Sequence, residues 1–240
     1  MSSTRGLRRS AHLLGTFRLE QTQPEVFYRA IAEDSIDLIS DYARVRDALV
    51  LDVGAGREQF AEVFAAHGAR YIAIDPDVSL LDDTPASRST VVGDGYHLPF
   101  ADGSSDITFC SNVLEHVTDP ARLVAELARV TAPGGVIAVS YSNWLGPWGG
   151  HETSPYHYFG GHWAARRYTR HYGHPPKNRL GVNMYALSVA EGLRIARTTP
   201  GTTLLDARPR YHPDWATWVL AIPGLREFIT WNLWFVLRKV

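Results

Sequence analysis

Glycines and carboxylates stand at the ends of three successive apolar runs in the sequence. Gly54 and Gly56 follow the run 48–53, Asp75 ends the next run, and Asp94 follows the third. The carboxyl ends of parallel strands meet at one edge of a sheet, so these groups are expected to lie together. Glycine lets a backbone approach a ligand at a helix N-terminus, and a carboxylate after the second strand can accept both ribose hydroxyls. The spacing therefore predicts an adenosine-binding site.

Single residues of this set also have an ordinary structural interpretation. Asp52 is typical of a buried acid that accepts backbone N–H groups, and Gly93-Asp94-Gly95 is typical of a turn. Three such motifs at successive strand ends favour one shared site over unrelated turns.

Apolar runs alternate with segments of helical periodicity. Helices are predicted for 24–42, 57–67, 119–130 and 188–199. The first helix is expected to cover an edge of the sheet, and Pro133-Gly134-Gly135 to close the third. The predicted strands are 48–53, 71–74, 90–92, 107–110, 136–139, 202–207 and 232–237. This alternation predicts an α/β chain with a doubly wound parallel sheet.

A longer series of motifs runs from residue 48 to residue 141. The motifs are Asp52-Val-Gly54-Ala-Gly56, Asp75, Gly93-Asp94, Leu98-Pro99-Phe100-Ala-Asp102, Ser105-Asp106-Ile107, Ser111-Asn112-Val-Leu-Glu115-His116-Val117 and Leu-Ala-Arg129-Val-Thr-Ala-Pro133-Gly134-Gly135. In this order they resemble the class I S-adenosylmethionine-dependent methyltransferases, specifically the type-11 group. The resemblance implies a Rossmann-like sheet of seven strands, of which the seventh, 232–237, is antiparallel.

The resemblance also implies S-adenosyl-L-methionine as the cofactor and assigns roles to its binding residues. Gly54 and Gly56 would line its methionine and ribose, Asp75 would hold the ribose hydroxyls, and Asp94 would face the adenine amine. Asn112 would lie near the methyl group. The full predicted set is Asp52, Gly54, Ala55, Gly56, Asp75, Pro76, Gly93, Asp94, Gly95, Ser111, Asn112 and His116.

One position departs from the family pattern. The family usually has a third glycine two residues after Gly56, where this sequence has Glu58. A carboxylate there suits the positive end of the helix dipole, but it would repel the cofactor's carboxylate unless Arg57 neutralises it. The alternative hypothesis is a catalytically degenerate methyltransferase fold that serves as a binding or scaffold protein. A nicotinamide-dependent dehydrogenase is disfavoured, because the dinucleotide fingerprint is incomplete.

The segment 142–187 interrupts the regular alternation and is rich in glycine and aromatic residues. Its length predicts an insertion or lid at the acceptor site. His151, with Glu152 beside it, is the first candidate for a base or acceptor contact, and His157 is the second. The alternative is that these histidines only pack within the lid. No metal site is predicted, because neither cysteines nor a fixed histidine spacing supports one.

Composition limits the partners and the compartment. The formal net charge of −1 over 240 residues gives no general attraction to nucleic acid. Cys110 is the single cysteine and lies in an apolar run, which fits a reducing cytoplasm. Neither a secretory signal nor a spanning run of about 20 apolar residues is present. A cytoplasmic protein is therefore expected.

The C-terminal segment has two interpretations. Packing against the sheet edge or the acceptor pocket is the favoured one for the apolar residues from Trp215 to Trp234. The alternative is an interfacial segment, because tryptophans are combined with Arg226, and such a segment would suit a lipid-linked acceptor. Further motifs resemble a group of methyltransferases from mycolate-making bacteria, which implies a link to envelope lipids or glycolipids such as trehalose mycolates. These motifs are Trp144-Leu-Gly-Pro-Trp-Gly-Gly-His151-Glu152, Gly173-His-Pro-Pro-Lys177-Asn178, Arg210-Tyr-His-Pro and Leu225-Arg-Glu-Phe228.

The predicted organisation has four parts. They are an N-terminal helical cap, 1–47, a cofactor-binding core, 48–141, an acceptor-site insertion, 142–187, and a C-terminal completion of the sheet with a short helical excursion, 188–240. The predicted reaction is methyl transfer from S-adenosylmethionine to an oxygen of a small-molecule, lipid or glycolipid acceptor. Peripheral contact with the inner membrane face is predicted through the tryptophan-rich C-terminal segment.

Overall fold

A computed structural model describes residues 6–20, 22–56, 59–77 and 90–240. The helices are α1 Leu7–Phe17, α2 Pro24–Ile39, α3 Gln59–Ala66, α4 Pro120–Val130, α5 Gly161–Tyr172, α6 Val189–Thr198 and α7 Leu225–Ile229. The strands are β1 Leu49–Val53, β2 Arg70–Asp75, β3 Thr90–Val92, β4 Ser105–Ser111, β5 Thr131–Ser142, β6 Thr202–Pro209 and β7 Asn232–Lys239. Periodicity located all seven strands, whereas α1 and α5 were not predicted as separate helices.

The described strands form one sheet in the order β3-β2-β1-β4-β5-β7-β6. β1 to β5 pair in parallel, whereas β7 is antiparallel to both β5 and β6. The predicted α/β class and the antiparallel seventh strand are confirmed. Strand order reverses between β1 and β4, so a crevice is expected at their carboxyl ends.

Apolar side chains cover both faces of the sheet. On one face, α4 and α6 bury residues such as Leu123 against Leu51 of β1. On the other face, α1, α2 and α3 form a second core, in which Ile31 joins Val50 and Ile107 of the central strands. The expectation that the helix 24–42 covers a sheet edge is therefore wrong. Its apolar stripe is broad enough to cover the central strands.

Local chemistry sets the boundaries of α4. Asp119 accepts a hydrogen bond of 3.0 Å from the backbone N–H of Arg122, and Pro120 occupies the first turn, where its missing N–H costs nothing. The helix ends at Thr131, whose backbone is already extended and whose hydroxyl donates to the Leu127 carbonyl at 2.7 Å. The chain then enters β5 at once.

The end of α4 corrects one further expectation. Pro133-Gly134-Gly135 does not close the helix but lies within the long strand β5. Thr131 pairs with Ser105 of β4, and the register shifts before Val136 pairs with Ile107. The break in register lets β5 carry the proline and glycines, which a regular central strand would exclude.

Buried charge connects the first helices to the strand β6 and its following turn. The Arg210 guanidinium donates to Oδ2 of Asp34, to Oγ of Ser35 and to the Ile31 carbonyl. Arg9 of α1 donates to the same Asp34 carboxylate. The N-terminal helices are therefore fixed to the C-terminal half by a satisfied ionic group.

The chain from β5 to α6 folds over the carboxyl ends of the strands. Short 3-10 helices at His151–Thr153 and Tyr156–Phe159 precede α5, and another, Asp214–Ala221, precedes α7. Asn143 anchors the start of this region, because its buried amide donates to the carbonyls of Glu227 and Thr230. No helix in the described part of the chain is both long enough and apolar enough to cross a bilayer.

Candidate functional site

A cavity of about 380 Å³ opens at the carboxyl ends of β1, β2 and β3. Five of the predicted cofactor-binding residues line it, together with apolar side chains from both halves of the crevice. The predicted residues are Gly54, Pro76, Gly93, Asp94 and Gly95. The others are Val53, Ile74, Val92, Tyr96, Val113, Val117 and Leu123. A slot with apolar walls and a few polar groups suits a flat heterocycle.

Bare backbone forms one wall of this cavity. Gly54 has a φ of +77°, and a Cβ atom there would overlap the side chain of Val113. A Cβ atom on Gly95 would lie 3.0 Å from Cδ1 of Leu123, and one on Gly93 would lie 3.2 Å from Cγ2 of Ile74. Glycine at these positions therefore keeps space that a side chain would fill.

Asp75 links the first two strand ends. Its Oδ2 accepts the backbone N–H of Gly56 at 3.0 Å, and its Oδ1 accepts the N–H of Asp77 at 2.9 Å. Each carboxylate oxygen has a second lone pair, which can accept a ribose hydroxyl. The hydrogen bond between Gly56 and Asp75 thus fixes the turn after β1 against the predicted ribose-binding side chain.

Asp94 organises the turn after β3. Its Oδ1 accepts the N–H of Tyr96 at 2.9 Å, and its Oδ2 lies 3.0 Å from Nδ1 of His97. The hydrogen bond from Tyr96 and the neighbouring His97 lower the pKa of Asp94 below its usual value. The turn interpretation and the adenine-binding interpretation are compatible, because the carboxylate keeps lone pairs for a ligand.

Asp52 and Ser111 have protein partners that lie away from this cavity. The Tyr71 hydroxyl donates to Asp52 at 2.5 Å, and burial raises the pKa of Asp52 to about 7. Oγ of Ser111 lies 3.0 Å from Oγ of Ser140. Direct contact of these two residues with the cofactor stays a prediction.

Asn112 ends β4 in a left-handed conformation, with a φ of +57°. Its Oδ1 accepts the side-chain amide of Asn232 at 2.7 Å, and its backbone N–H donates to the Ser140 carbonyl. Asparagine tolerates this conformation better than most residues. The turn then leads directly to Val113, against Gly54, and on to Glu115 and His116.

A second cluster lies beyond Asn112 and joins this turn to the lid. Ligating atoms of Glu115, His116 and His151 lie within 4.8 Å of one another. Oε1 of Glu115 accepts the N–H of Ser142 at 2.9 Å, and Nδ1 of His116 lies 2.7 Å from the Asn183 carbonyl. The structure therefore brings His151 to a residue of the cofactor motif.

Two buried atoms of this cluster lack partners. Glu115 is 1% exposed, and within the described residues neither its Oε2 nor Nε2 of His151 has a hydrogen-bond partner. Burial raises the pKa of Glu115. Burial, together with the charges of His116 and Lys177, lowers the pKa of His151 to about 4. Since buried polar atoms are normally satisfied, these two point to a ligand.

Glu152 and His157 occupy other parts of the lid. Both carboxylate oxygens of Glu152 accept the Asn178 amide, at 3.1 and 3.2 Å. His157 is 1% exposed, its Nδ1 lies 3.3 Å from Oγ of Ser154, and burial lowers its pKa. A Cβ atom on Gly150 would overlap its ring. The structure thus packs His157 into the lid, and catalytic roles for both residues stay predictions.

Glu115 and Glu20 were missed as candidate site residues. Glu115 belongs to the motif after β4, so its position directly before His116 was a usable signal. Glu20 follows α1, and burial with the charge of Glu152 raises its pKa to about 7, against the opposing effect of Lys177. Nothing in the local sequence around Glu20 indicates this proximity. The questioned Glu58 and its neighbour Arg57 lie outside the described residues.

Comparison with known proteins agrees with this geometry. Residues 51–139 match a family described as a methyltransferase domain. An uncharacterized methyltransferase of Mycobacteroides abscessus is 49% identical, with 97% of this chain and 94% of that protein covered. One from Mycobacterium marinum is also 49% identical, covering 96% of this chain and 94% of the relative. The chain belongs to the S-adenosylmethionine-dependent methyltransferases.

The fold of this methyltransferase also matches solved structures. An S-adenosylmethionine-dependent methyltransferase from Mesorhizobium loti superposes with a TM-score of 0.58 at 18% identity, covering 86% of this chain and 98% of that one. At this identity the likeness concerns the fold alone. The predicted cofactor is confirmed by the membership of this methyltransferase family and not by the likeness of fold. The same membership favours an enzyme over the degenerate scaffold.

The cavity fits an adenosine group because glycine backbone, apolar walls and the carboxylate of Asp94 line it, and Asp75 directly precedes Pro76 of the lining. Gly54, Asp75 and Asp94 are the residues that would hold the cofactor, and Asn112 is predicted to lie towards its methionine end. When bound, S-adenosylmethionine supplies a methyl group on a positively charged sulfur. The remaining task of the chain is to place an acceptor on the methyl's far side and to exclude water.

Proposed function

We propose that this methyltransferase transfers a methyl group to a hydroxyl oxygen of an apolar, lipid-like or glycolipid acceptor. The observation that carries the proposal is that Oε2 of Glu115 and Nε2 of His151 are buried and have no hydrogen-bond partner among the described residues. Glu115 lies in the turn after β4, and His151 lies in the lid after β5, so both are beyond the carboxyl ends of strands. The acceptor must approach the cofactor from this side of the sheet. A hydroxyl group that enters there can donate its hydrogen to one of them.

The cluster suits chemistry on oxygen. In the proposed step the acceptor oxygen bonds to the methyl carbon as the sulfur–methyl bond breaks, and the hydroxyl hydrogen leaves as a proton. Because a neutral hydroxyl is a weak nucleophile, a proton acceptor at the oxygen accelerates the reaction. A carboxylate acceptor would need none, and the buried Glu115 would repel it if ionised. The cluster therefore favours a hydroxyl acceptor.

An apolar acceptor is supported by the outer surface of the lid. Phe159 is 75% exposed, and Tyr158 beside it contacts Phe228 of α7 with ring centroids 6.5 Å apart. Trp215 and Trp218 of the neighbouring 3-10 helix are also exposed. A monomer in water rarely presents so many aromatic rings on one region without a partner. Aromatic rings next to a site suit a lipid chain that enters from a bilayer.

Positive charge on α5 indicates the kind of membrane. The helix carries Arg166, Arg167 and Arg170 and no acidic residue, while Trp163 and Tyr172 are exposed. Such a surface favours anionic lipids. We therefore propose that the enzyme acts at the inner, cytoplasmic face of the membrane.

The predicted membrane segment needs one correction. Trp234 is fully buried in β7, where its ring packs against Phe109 and lies 5.0 Å below the Arg210 guanidinium. β7 pairs on both sides, so its side chains fill the two cores. Contact through Trp215 and Trp218 stays a prediction, but Trp234 is excluded from it.

Transfer of radioactive methyl from S-adenosylmethionine to lipid extracts of a mycolate-making bacterium tests the proposed reaction. Label is expected in the organic phase and should survive mild alkali, because methyl ethers resist conditions that hydrolyse methyl esters. Glu115→Gln and His151→Ala should abolish transfer while S-adenosylhomocysteine still binds. Asn178→Ala, which frees Glu152 only, is the matched control. Alkali-labile label, or full activity of both cluster variants, would overturn the assignment.

Sedimentation with vesicles tests the membrane proposal separately. Vesicles with anionic phospholipid should retain the protein, and vesicles of zwitterionic phospholipid alone should not. The double variant Trp215→Ser, Trp218→Ser should lose retention, whereas Trp163→Ser should weaken it less. Equal retention of the wild type by both vesicle types would contradict the role given to the α5 arginines.

A further inference from the structure

The cluster of Glu115, His116 and His151 has the composition of a metal site. Two imidazoles and one carboxylate form the ligand set of many zinc enzymes and non-haem iron enzymes. Their ligating atoms lie within 4.8 Å of one another. With bonds of about 2.1 Å, a tetrahedral ion holds its ligand atoms about 3.4 Å apart, so binding would draw them together by no more than about 1.4 Å.

We propose that Glu115, His116 and His151 bind a divalent transition-metal ion that holds the acceptor oxygen. The part that concerns the acceptor rests on the proposed function, whereas binding of the ion does not. No local sequence pattern indicates this site, because His151 is 35 residues from His116 in the chain. Only the fold of the lid over β4 and β5 brings the three together.

Existing hydrogen bonds already orient two of the ligands. Nδ1 of His116 lies 2.7 Å from the Asn183 carbonyl, so Nδ1 carries the hydrogen and the free lone pair is on Nε2. Oε1 of Glu115 accepts the N–H of Ser142 at 2.9 Å, which leaves Oε2 as the ligand atom. Outer contacts of this kind are typical of metal sites, where they fix the tautomer and the ring.

The cluster also contains atoms that need a partner. Oε2 of Glu115, on a side chain that is 1% exposed, and Nε2 of His151 are both unpartnered in the described part of the chain. The rings of His116 and His151 are 5.6 Å apart and tilted by 54°, so they are not stacked on each other. A cation bound between the three side chains would satisfy both atoms.

The ion would give the three residues a common task. Three protein ligands leave a fourth position open, as in catalytic zinc sites. An acceptor hydroxyl bound there would lose its proton to water at a lower pH, because the metal would stabilise the negative oxygen. With the ion bound, Glu115 and His151 would act as ligands and not as proton acceptors. The acceptor oxygen would form its bond to the methyl carbon while the sulfur–methyl bond breaks. The acceptor class that follows is an alcohol that can ligate a metal through oxygen.

Cobalt(II) binding to the whole, chelator-treated chain tests the site without any acceptor. Tetrahedral or five-coordinate cobalt with imidazole ligands absorbs visible light, so a saturable band with one ion per chain is expected. Zinc(II) should displace the cobalt and magnesium should not, since imidazole ligands favour zinc. His116→Ala, His151→Ala and Glu115→Gln should each weaken binding by about tenfold or more.

Two controls separate metal binding from folding. Glu115→Gln keeps an oxygen that can accept the N–H of Ser142, and its thermal midpoint should match the wild type. His162→Ala removes an exposed histidine of the lid and should leave cobalt binding unchanged. No visible band with the wild type, or equal binding by His162→Ala and the three ligand variants, overturns the inference. Methyl transfer that depends on Glu115 but not on added metal would leave the proposed function standing without the ion.

Discussion

Nε of Arg210 lies 3.1 Å from Oδ2 of Asp34, in an ion pair from which water is almost wholly excluded. The two residues are 176 positions apart in the sequence. Arg9 approaches the other oxygen, Oδ1, at 2.6 Å. The remaining donors of Arg210 reach Ser35 and the Ile31 carbonyl of α2, and Nη1 lies 3.3 Å from Oγ of Ser140 on β5. One guanidinium thus joins α2 to the centre of the sheet.

Removing this guanidinium should destabilise the fold strongly. Arg210→Ala leaves Arg9 as the one arginine partner of the Asp34 carboxylate and removes the hydrogen bond from the guanidinium to Ser35. Because a buried charge then loses a partner, the free energy of unfolding is expected to fall by about 3–5 kcal/mol. Arg194→Ala is the control, because its ion pair with Glu191 is exposed and exposed ion pairs contribute little to stability. Urea denaturation followed by circular dichroism gives both values. Similar losses of stability in the two variants would show that the buried ion pair contributes no more to stability than the exposed one.

Gly54→Ala should impair cofactor binding. The new Cβ atom would overlap Val113 and would have to accept a φ of +77°, which costs an L-residue about 1–2 kcal/mol before any overlap. We expect S-adenosylhomocysteine affinity to fall at least about tenfold, as measured by calorimetry. Gly15→Ala adds a methyl group on exposed α1, where nothing lies within 4 Å, and should bind normally. Normal affinity of Gly54→Ala would argue against this wall of the cavity.

Asp75→Asn should weaken the same binding. The single amide oxygen can accept the N–H of Gly56 or that of Asp77 but not both, and the charge that strengthens hydrogen bonds from the ribose is lost. A reduction in affinity of about 10- to 100-fold is expected. Asp106→Asn is the control, since Asp106 likewise accepts a backbone N–H, that of Leu49, but lies at the opposite end of the sheet. Equal affinities of the two variants would contradict the ribose assignment.

The pH dependence of stability should report on Asp52. An aspartate in the unfolded chain ionises near pH 4, whereas burial keeps Asp52 protonated in the folded chain until about pH 7. The folded state then binds more protons between these values, so the free energy of unfolding falls as the pH rises from about 4 to about 7.

Asp52→Asn should remove the part of this decline that Asp52 causes, whereas Glu20 and Glu115, whose pKa values are also raised by burial, keep their own contributions. The asparagine side chain cannot ionise. We therefore expect the free energy of unfolding of the variant to exceed that of the wild type by up to about 4 kcal/mol at pH 8, and by less at pH 5. Urea denaturation of the cofactor-free proteins at both pH values measures the two differences. Asp106 is exposed, so the free energy of unfolding of Asp106→Asn should change with pH as that of the wild type does. A parallel profile for Asp52→Asn would mean that Asp52 is already ionised in the folded protein.

The sequence was sufficient for elements whose signals are local. Apolar runs located the strands, and Asp119 with Pro120 marked the start of α4, because capping and strand burial depend on neighbouring residues. Gly54, Asp75 and Asp94 could be placed at one edge, since parallel strands bring their ends together. The break in register that lets β5 include Pro133-Gly134-Gly135 has no such local sign.

Contacts between distant segments were beyond a single sequence. Neither the packing of Arg210 on Asp34 nor the approach of His151 to Glu115 follows from periodicity, because each depends on how a long connection folds back. His151 was selected for its residue type and its place in the lid. The structure adds Glu115 and His116, which change the chemistry that the histidine can perform.

The position of β7 has a consequence for synthesis on the ribosome. Strands β1 to β5 come from residues 49–142 and can pair as they emerge, but β6 has no partner until Asn232–Lys239 arrives. Until then the edge of β5 is open to strands of other chains. A chain in which β7 has not yet joined the sheet is therefore a form of this enzyme that is prone to aggregate.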